Sequence, residues 1–125
     1  MKIKYLSNNN ILFKFGLVAV TINPTIYIKK GVEETWLPAC KYALIEHEKV
    51  HIEQQEKTGK MWFIKYTFSK KFRFSQEIEA HKVEYQYLKG NTSLANKEYF
   101  AKILSSKTYF GMVTYAEALK IVENW

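Results

Sequence analysis

An α+β fold, in which a small antiparallel sheet precedes a packed helical part, is what two features of the sequence predict. Short segments rich in β-branched and aromatic residues fill the chain to about residue 30, and helix-length segments with start and stop signals fill it from about residue 36. The 125 residues, 47% of them hydrophobic, suffice for one core but not two, so a single domain over 1–125 is expected.

The strand candidates are KIKYL (2–6), ILFKF (11–15), LVAVTI (17–22) and TIYIKK (25–30), punctuated by Asn8 to Asn10, Gly16 and Asn23-Pro24. After Gly31 the character changes. Thr35 can cap a helix from about Trp36 to Lys57, with Pro38 tolerated in its first turn and Gly59 placed as its stop. The apolar run MWFIKYTF (61–68) fits strand and helix equally. A second helix is expected from Ser75 to about Leu88, with Gly90 beyond it, and a third from Ser93 to about Leu104. A last one, Tyr115 to Asn124, opens on a capping box of Thr114 and Glu117.

Composition removes several chemistries. All 12 acidic residues are glutamate, so aspartic dyads, EF-hand loops and aspartate-held magnesium sites cannot be built from this chain alone. One cysteine, Cys40, excludes an internal disulfide and cysteine-rich zinc modules, and matches a reducing, cytoplasmic setting. The net charge of +7 comes from 18 lysines and one arginine, Arg73. Base recognition leans on arginine forks, so scattered lysine reads as a solubilising surface, and a nucleic-acid partner is possible but not favoured. No stretch approaches the roughly 20 apolar residues of a membrane span, and MKIKYLSNNN lacks a signal-length apolar run, so neither secretion nor a membrane partner is expected.

The chemistry concentrates in His47-Glu48-Lys49-Val50-His51, an HExxH in the second half of the first long helix. Residues four apart on a helix lie one turn above each other, so both imidazoles leave one face and can grip one ion. Glu48, one position round, can reach a water on that ion without becoming a ligand, as a general base must. A catalytic zinc takes three protein ligands and keeps one position open. The third is expected from the second helix, where Gln76-Glu77-Ile78-Glu79-Ala80-His81 stands. Glu77 and Glu79 are about 200° apart on a 3.6-residue helix, so only one can point at the metal. Glu77 shares its face with Ala80, His81, Glu84 and Leu88, whereas Glu79 falls with Lys82 and Gln86 on the wet side.

These two stretches resemble the gluzincin group of zincin metallopeptidases, in which HExxH is followed by a helix carrying a glutamate ligand in an E-x-x-A-D or E-x-E-A-D setting. The resemblance covers about Leu37 to Leu88. Twenty-five residues separate His51 from Glu77, similar to compact gluzincins and to the repressor-cleaving metallopeptidases of mobile elements. It implies Glu77 as ligand and Ala80 as the small residue that lets the helices approach, and it places His81 where many members carry aspartate. Orientation of a zinc-bound imidazole would then fall to a backbone carbonyl, Glu84 or His81. His81 stays open as an alternative third ligand, as in metalloproteases that use three histidines.

The expected function is a zinc-dependent peptidase with one Zn2+ per chain on His47, His51 and Glu77, a zinc-activated water, Glu48 as general base, and a peptide or protein substrate. Tyr66, Tyr85 and Tyr109 are the candidates for an oxyanion donor. TIYIKK is the sheet edge on which an extended substrate could lie. The alternative is a catalytically idle, zinc-stabilised basic protein that binds nucleic acid or a protein partner.

Overall fold

The computed structural model describes residues 1–10, 13 and 17–125, and it is an α+β arrangement of a small N-terminal sheet and a helical part. The expected strand ILFKF lies outside the described residues apart from Phe13, which is buried. Three strands, β1 (Lys2–Leu6), β2 (Ala19–Ile22) and β3 (Thr25–Lys29), form a sheet in the order β1-β3-β2. β2 and β3 pair antiparallel across the tight Asn23-Pro24 turn, whose peptide bond is cis.

β1 pairs parallel to β3, with Lys2 opposite Thr25 and Leu6 opposite Lys29, so the sheet is mixed and the expectation of an all-antiparallel sheet needs correction. A hairpin turn forces antiparallel neighbours, but the connection from 7 to 18 is long enough to carry the chain to either end of the sheet. The order also makes TIYIKK the central strand and not an edge. Ile26 and Ile28, both 0% exposed, share the face of β3 that packs with Leu44 of α2, while β1 and β2 pair with its two edges. Among the described residues the edges are β1 and β2.

The helical part begins with the single turn α1 (Val32–Thr35), then α2 (Pro38–Thr58), α3 (Met61–Phe68) and α4 (Lys70–Asn91). The run 61–68, open between strand and helix in the sequence, is helical. Gly59 ends α2 at φ 70°, a conformation that a side chain would strain, and so turns the chain directly into α3. α4 starts five residues before the expected Ser75, because Ser69 caps it by accepting from the Phe72 amide. α5 (Lys97–Leu104) opens on Asn96 and not Ser93, and α6 (Tyr115–Val122) opens on the expected Thr114–Glu117 capping box.

Two apolar clusters flank α2. On one side Ala19, Ile26, Ile28, Val32 and Leu44 join it to the sheet. On the other, Ala43, Phe74, Leu88, Phe100, Leu104 and Val122 join it to α4, α5 and α6. Between the clusters the stripes along which α2 and α4 meet are polar. α2 buries His47, Glu48, His51, Gln54 and Gln55, and α4 buries Glu77 and His81. Ordinary amphipathic helices put apolar residues at these spacings. Burying ionisable groups there is costly unless each is paired, hydrogen-bonded or bound to a metal.

Candidate metal centre

The helical spacing of His47 and His51 brings both Nε2 atoms to one carboxylate. His47 Nε2 lies 3.3 Å from Glu77 Oε2, and His51 Nε2 lies 3.2 Å from Glu77 Oε1. All three residues are buried, and one donor atom from each lies within 4.8 Å of the others. These separations exceed the about 2.7–2.9 Å of a charge-assisted N–H···O bond. They equal the roughly 3.3 Å between neighbouring ligands on a tetrahedral ion with bonds of about 2.0–2.1 Å. Glu79 points outward, as the 200° offset requires, and its carboxylate meets the Gln54 amide.

Glu48 is buried beside the ligand set without joining it. Its Oε1 stands 4.0 Å from His47 Nε2, and its Oε2 accepts the Thr21 hydroxyl of β2 at 2.5 Å. β2 is held over α2 by Gln55, whose amide donates to the Thr21 carbonyl and whose Oε1 accepts the Asn23 N–H. Sheet and helix are thus locked together at the residue that touches Glu48.

Two phenols fix the Glu77 carboxylate. Tyr66 of α3 donates to Oε1 at 2.5 Å, and Tyr109, in the short 3-10 turn Lys107–Tyr109, donates to Oε2 at 3.2 Å. Burial and then the Glu77 charge push both hydroxyls well above the usual tyrosine range, so both stay protonated donors. Of the three tyrosines expected as oxyanion donors, Tyr66 and Tyr109 thus donate to Glu77 instead, and Tyr85 packs in the core against Phe100 and Trp125.

His81 stands beside this set, its Nε2 3.8 Å from Glu77 Oε2, and is engaged by a different partner. Its Nε2 is 2.8 Å from the Tyr109 oxygen. Since the one Tyr109 proton is aimed at Glu77, His81 is the donor in that bond. Its Nδ1 faces Glu84 Oε2 at 3.7 Å, and His47 Nδ1 faces Glu84 Oε1 at the same distance. His81 therefore groups with the far nitrogen of His47 and with Glu84, apart from His51. Both Nδ1 atoms are buried without a hydrogen bond, and for His47 the Glu84 carboxylate is the acceptor nearest to that nitrogen.

Three contributors had no sequence signal strong enough to single them out. Gln54 Oε1 accepts from His51 Nδ1 at 2.8 Å and sets that ring's rotation; its place three residues after His51 was the clue available. Trp62 stacks on Tyr66 and is tied to Gln76 through its indole N–H. Thr21 comes from another element altogether. Arg73 is half-buried and forms no ion pair with Glu77: its guanidinium donates to the Tyr66 and Thr67 carbonyls at the end of α3.

Burial opposes charge on both imidazoles, yet Glu77 overrides it, raising His47 to about 9 and His51 above its usual 6.5. The same pairing, against burial, holds Glu77 well below 4.5. Raised histidines contribute stability that is complete below 6.5 and lost as pH climbs through about 9; the depressed glutamate contributes stability present above 4.5 and lost on acidification. The metal-free protein is therefore expected to melt highest between about 4.5 and 6.5 and to lose stability toward pH 9. Zinc competes with those protons, so the melting-temperature gain from added zinc should grow over the same rise in pH. A gain independent of pH would show that zinc binds elsewhere.

No helix among the described residues is long and apolar enough to cross a membrane. Compared with known protein families, curated proteins and solved structures, this chain matches none.

Proposed function

We propose that this chain is a zinc-dependent peptidase of the gluzincin kind, acting on a peptide or protein in a reducing, cytoplasmic setting. The observation that carries the reading is the placement of His47 Nε2, His51 Nε2 and the Glu77 carboxylate at ligand-to-ligand spacing, with Glu48 alongside but outside it. The fit to a metal also rests on the donor set: two imidazoles and a carboxylate, all buried, are the chemistry of a zinc site with an open position. A zinc ion held there supplies Lewis acidity, lowering the pKa of water and polarising a carbonyl.

The remaining work falls to the protein's own groups. The Glu48 carboxylate accepts a proton from the attacking water and returns it to the leaving amine, and the Thr21 hydroxyl holds that carboxylate in place. Tyr66 and Tyr109 keep Glu77 aimed, and Glu84 steadies the far side of His47. β2 lies over Glu48, and Gln55 fills its outer edge there by bonding the Thr21 carbonyl and the Asn23 N–H, so the substrate is not placed on that edge. Thr21→Val is expected to lower kcat about tenfold with KM little changed, since it removes a positioning hydrogen bond and no substrate contact. An unchanged kcat would mean that Glu48 needs no such support.

One observation favours a second reading. His47, Glu48, His51, Glu77 and His81 are each no more than 7% exposed, as suits an ion that cross-links α2 and α4 without catalysis. Chelation separates the two. For the enzyme, removing and restoring zinc abolishes and restores cleavage of a peptide library. For the idle protein, no member of the library is cleaved, and chelation lowers only the melting temperature.

A further inference from the structure

α3 divides its chemistry between two faces. Trp62 and Tyr66 look inward, the first against the His51 ring and the second onto Glu77. Met61, Ile64 and Phe68, at i, i+3 and i+7, share the opposite face and are 50%, 51% and 83% exposed. Three large apolar side chains standing in water on two turns of helix are the mark of an interaction surface.

Charge identifies the partner. From Lys57 to Arg73 the chain carries six cations and no acid. Lys65 lies on the apolar face itself, between Ile64 and Phe68 in sequence and exposed. The turns at either end hold Lys60 and Lys70, and Lys70 sits over the ring of Phe110, which is 47% exposed. Among the described residues none of these lysines forms an ion pair; the lysine that does is Lys49, with Glu46. Arg73, the group best suited to a nucleic acid, is turned onto the α3 carbonyls. What remains is an apolar ridge with unpaired ammonium groups around it, the pattern of a helix that lies in a bilayer interface while its lysines reach to the headgroups.

We propose that α3 docks this protein on an anionic lipid bilayer, with Met61, Ile64 and Phe68 entering the acyl boundary and the flanking lysines meeting the headgroups. The absence of a spanning helix bears on crossing a membrane and not on lying upon one, and the proposal departs here from the sequence expectation of no membrane partner. At about 1.5 Å per residue the eight residues of α3 extend roughly 12 Å, enough to lie flat across a few headgroups. Because α3 also carries Tyr66 and Trp62, docking would set the buried site next to the lipid surface.

The test is co-sedimentation with phosphatidylcholine vesicles that contain or lack phosphatidylserine, with a single-stranded oligonucleotide as competitor. Binding is expected to be at least about tenfold tighter with phosphatidylserine and to weaken as salt is raised. Ile64→Glu and Phe68→Glu, both at exposed positions, should abolish it with circular dichroism and zinc binding unchanged, whereas Phe68→Leu should retain it. Equal binding to both vesicle types, no binding, undiminished binding by Phe68→Glu, or displacement by the oligonucleotide would each overturn the proposal. None of these readouts involves hydrolysis, so failure here and failure of the peptidase reading are distinguishable.

Discussion

Replacing Glu48 by glutamine is expected to lower kcat by about 10²- to 10⁴-fold on any peptide the wild type cleaves, with zinc still bound. The amide has the shape of the carboxylate and its oxygen can still accept the Thr21 hydroxyl, so β2 keeps its hold on α2. What it cannot do is take up a proton. Glu48 stands 4.0 Å from His47 Nε2, outside the ligand set, so the substitution leaves the metal donors untouched. It also removes one negative charge from beside the raised His47, so the fold is kept with a small loss of metal-free stability expected. Cleavage at the wild-type rate by Glu48→Gln would refute the assignment of the base.

Glu77→Ala is expected to fail in two ways at once. Without metal, the change removes the charge that balances His47 and His51 and the acceptor of both Tyr66 and Tyr109, which should cost about 3 kcal/mol or more of folding stability. With metal, the variant lacks one of three ligands. Wild-type protein at zinc a thousandfold above Kd should gain about 4 kcal/mol, and the variant almost nothing. Glu77→Gln, which keeps the shape and an acceptor oxygen, guards against simple misfolding and should also lose most of the zinc-dependent gain. His81→Gln should keep that gain, because His81 Nε2 is committed to Tyr109 and His51 lies outside its group. The reverse result, zinc response lost in His81→Gln and kept in Glu77→Gln, would make His81 the third ligand.

The parts of this site that lay in the sequence are those set by helical periodicity. Four-residue spacing put His47 and His51 on one face, and the offset between Glu77 and Glu79 decided which glutamate turns inward, as the burial of one and the exposure of the other bear out. The capping box at Thr114 and the stop at Gly59 were equally local. Long-range pairings were not legible. Thr21 reaches Glu48 across 27 positions and Tyr109 reaches Glu77 across 32, and no spacing rule connects such residues. The sheet shows the same limit. Each strand's apolar character was visible, but strand order is a competition between pairings that no local pattern decides, and β3 came to lie in the middle. α4 outran its expected start because Ser69, one of several serines able to cap, had the free Phe72 amide in reach.

Anomalous scattering at the zinc absorption edge, from crystals grown with zinc, reads the metal, its position and its ligands together. One peak per chain is expected, about 2.0–2.2 Å from Nε2 of His47, Nε2 of His51 and a Glu77 oxygen, with no fourth protein ligand. A chain without a peak between α2 and α4, or one whose peak is closed off by a fourth side chain, would contradict the catalytic centre proposed for it.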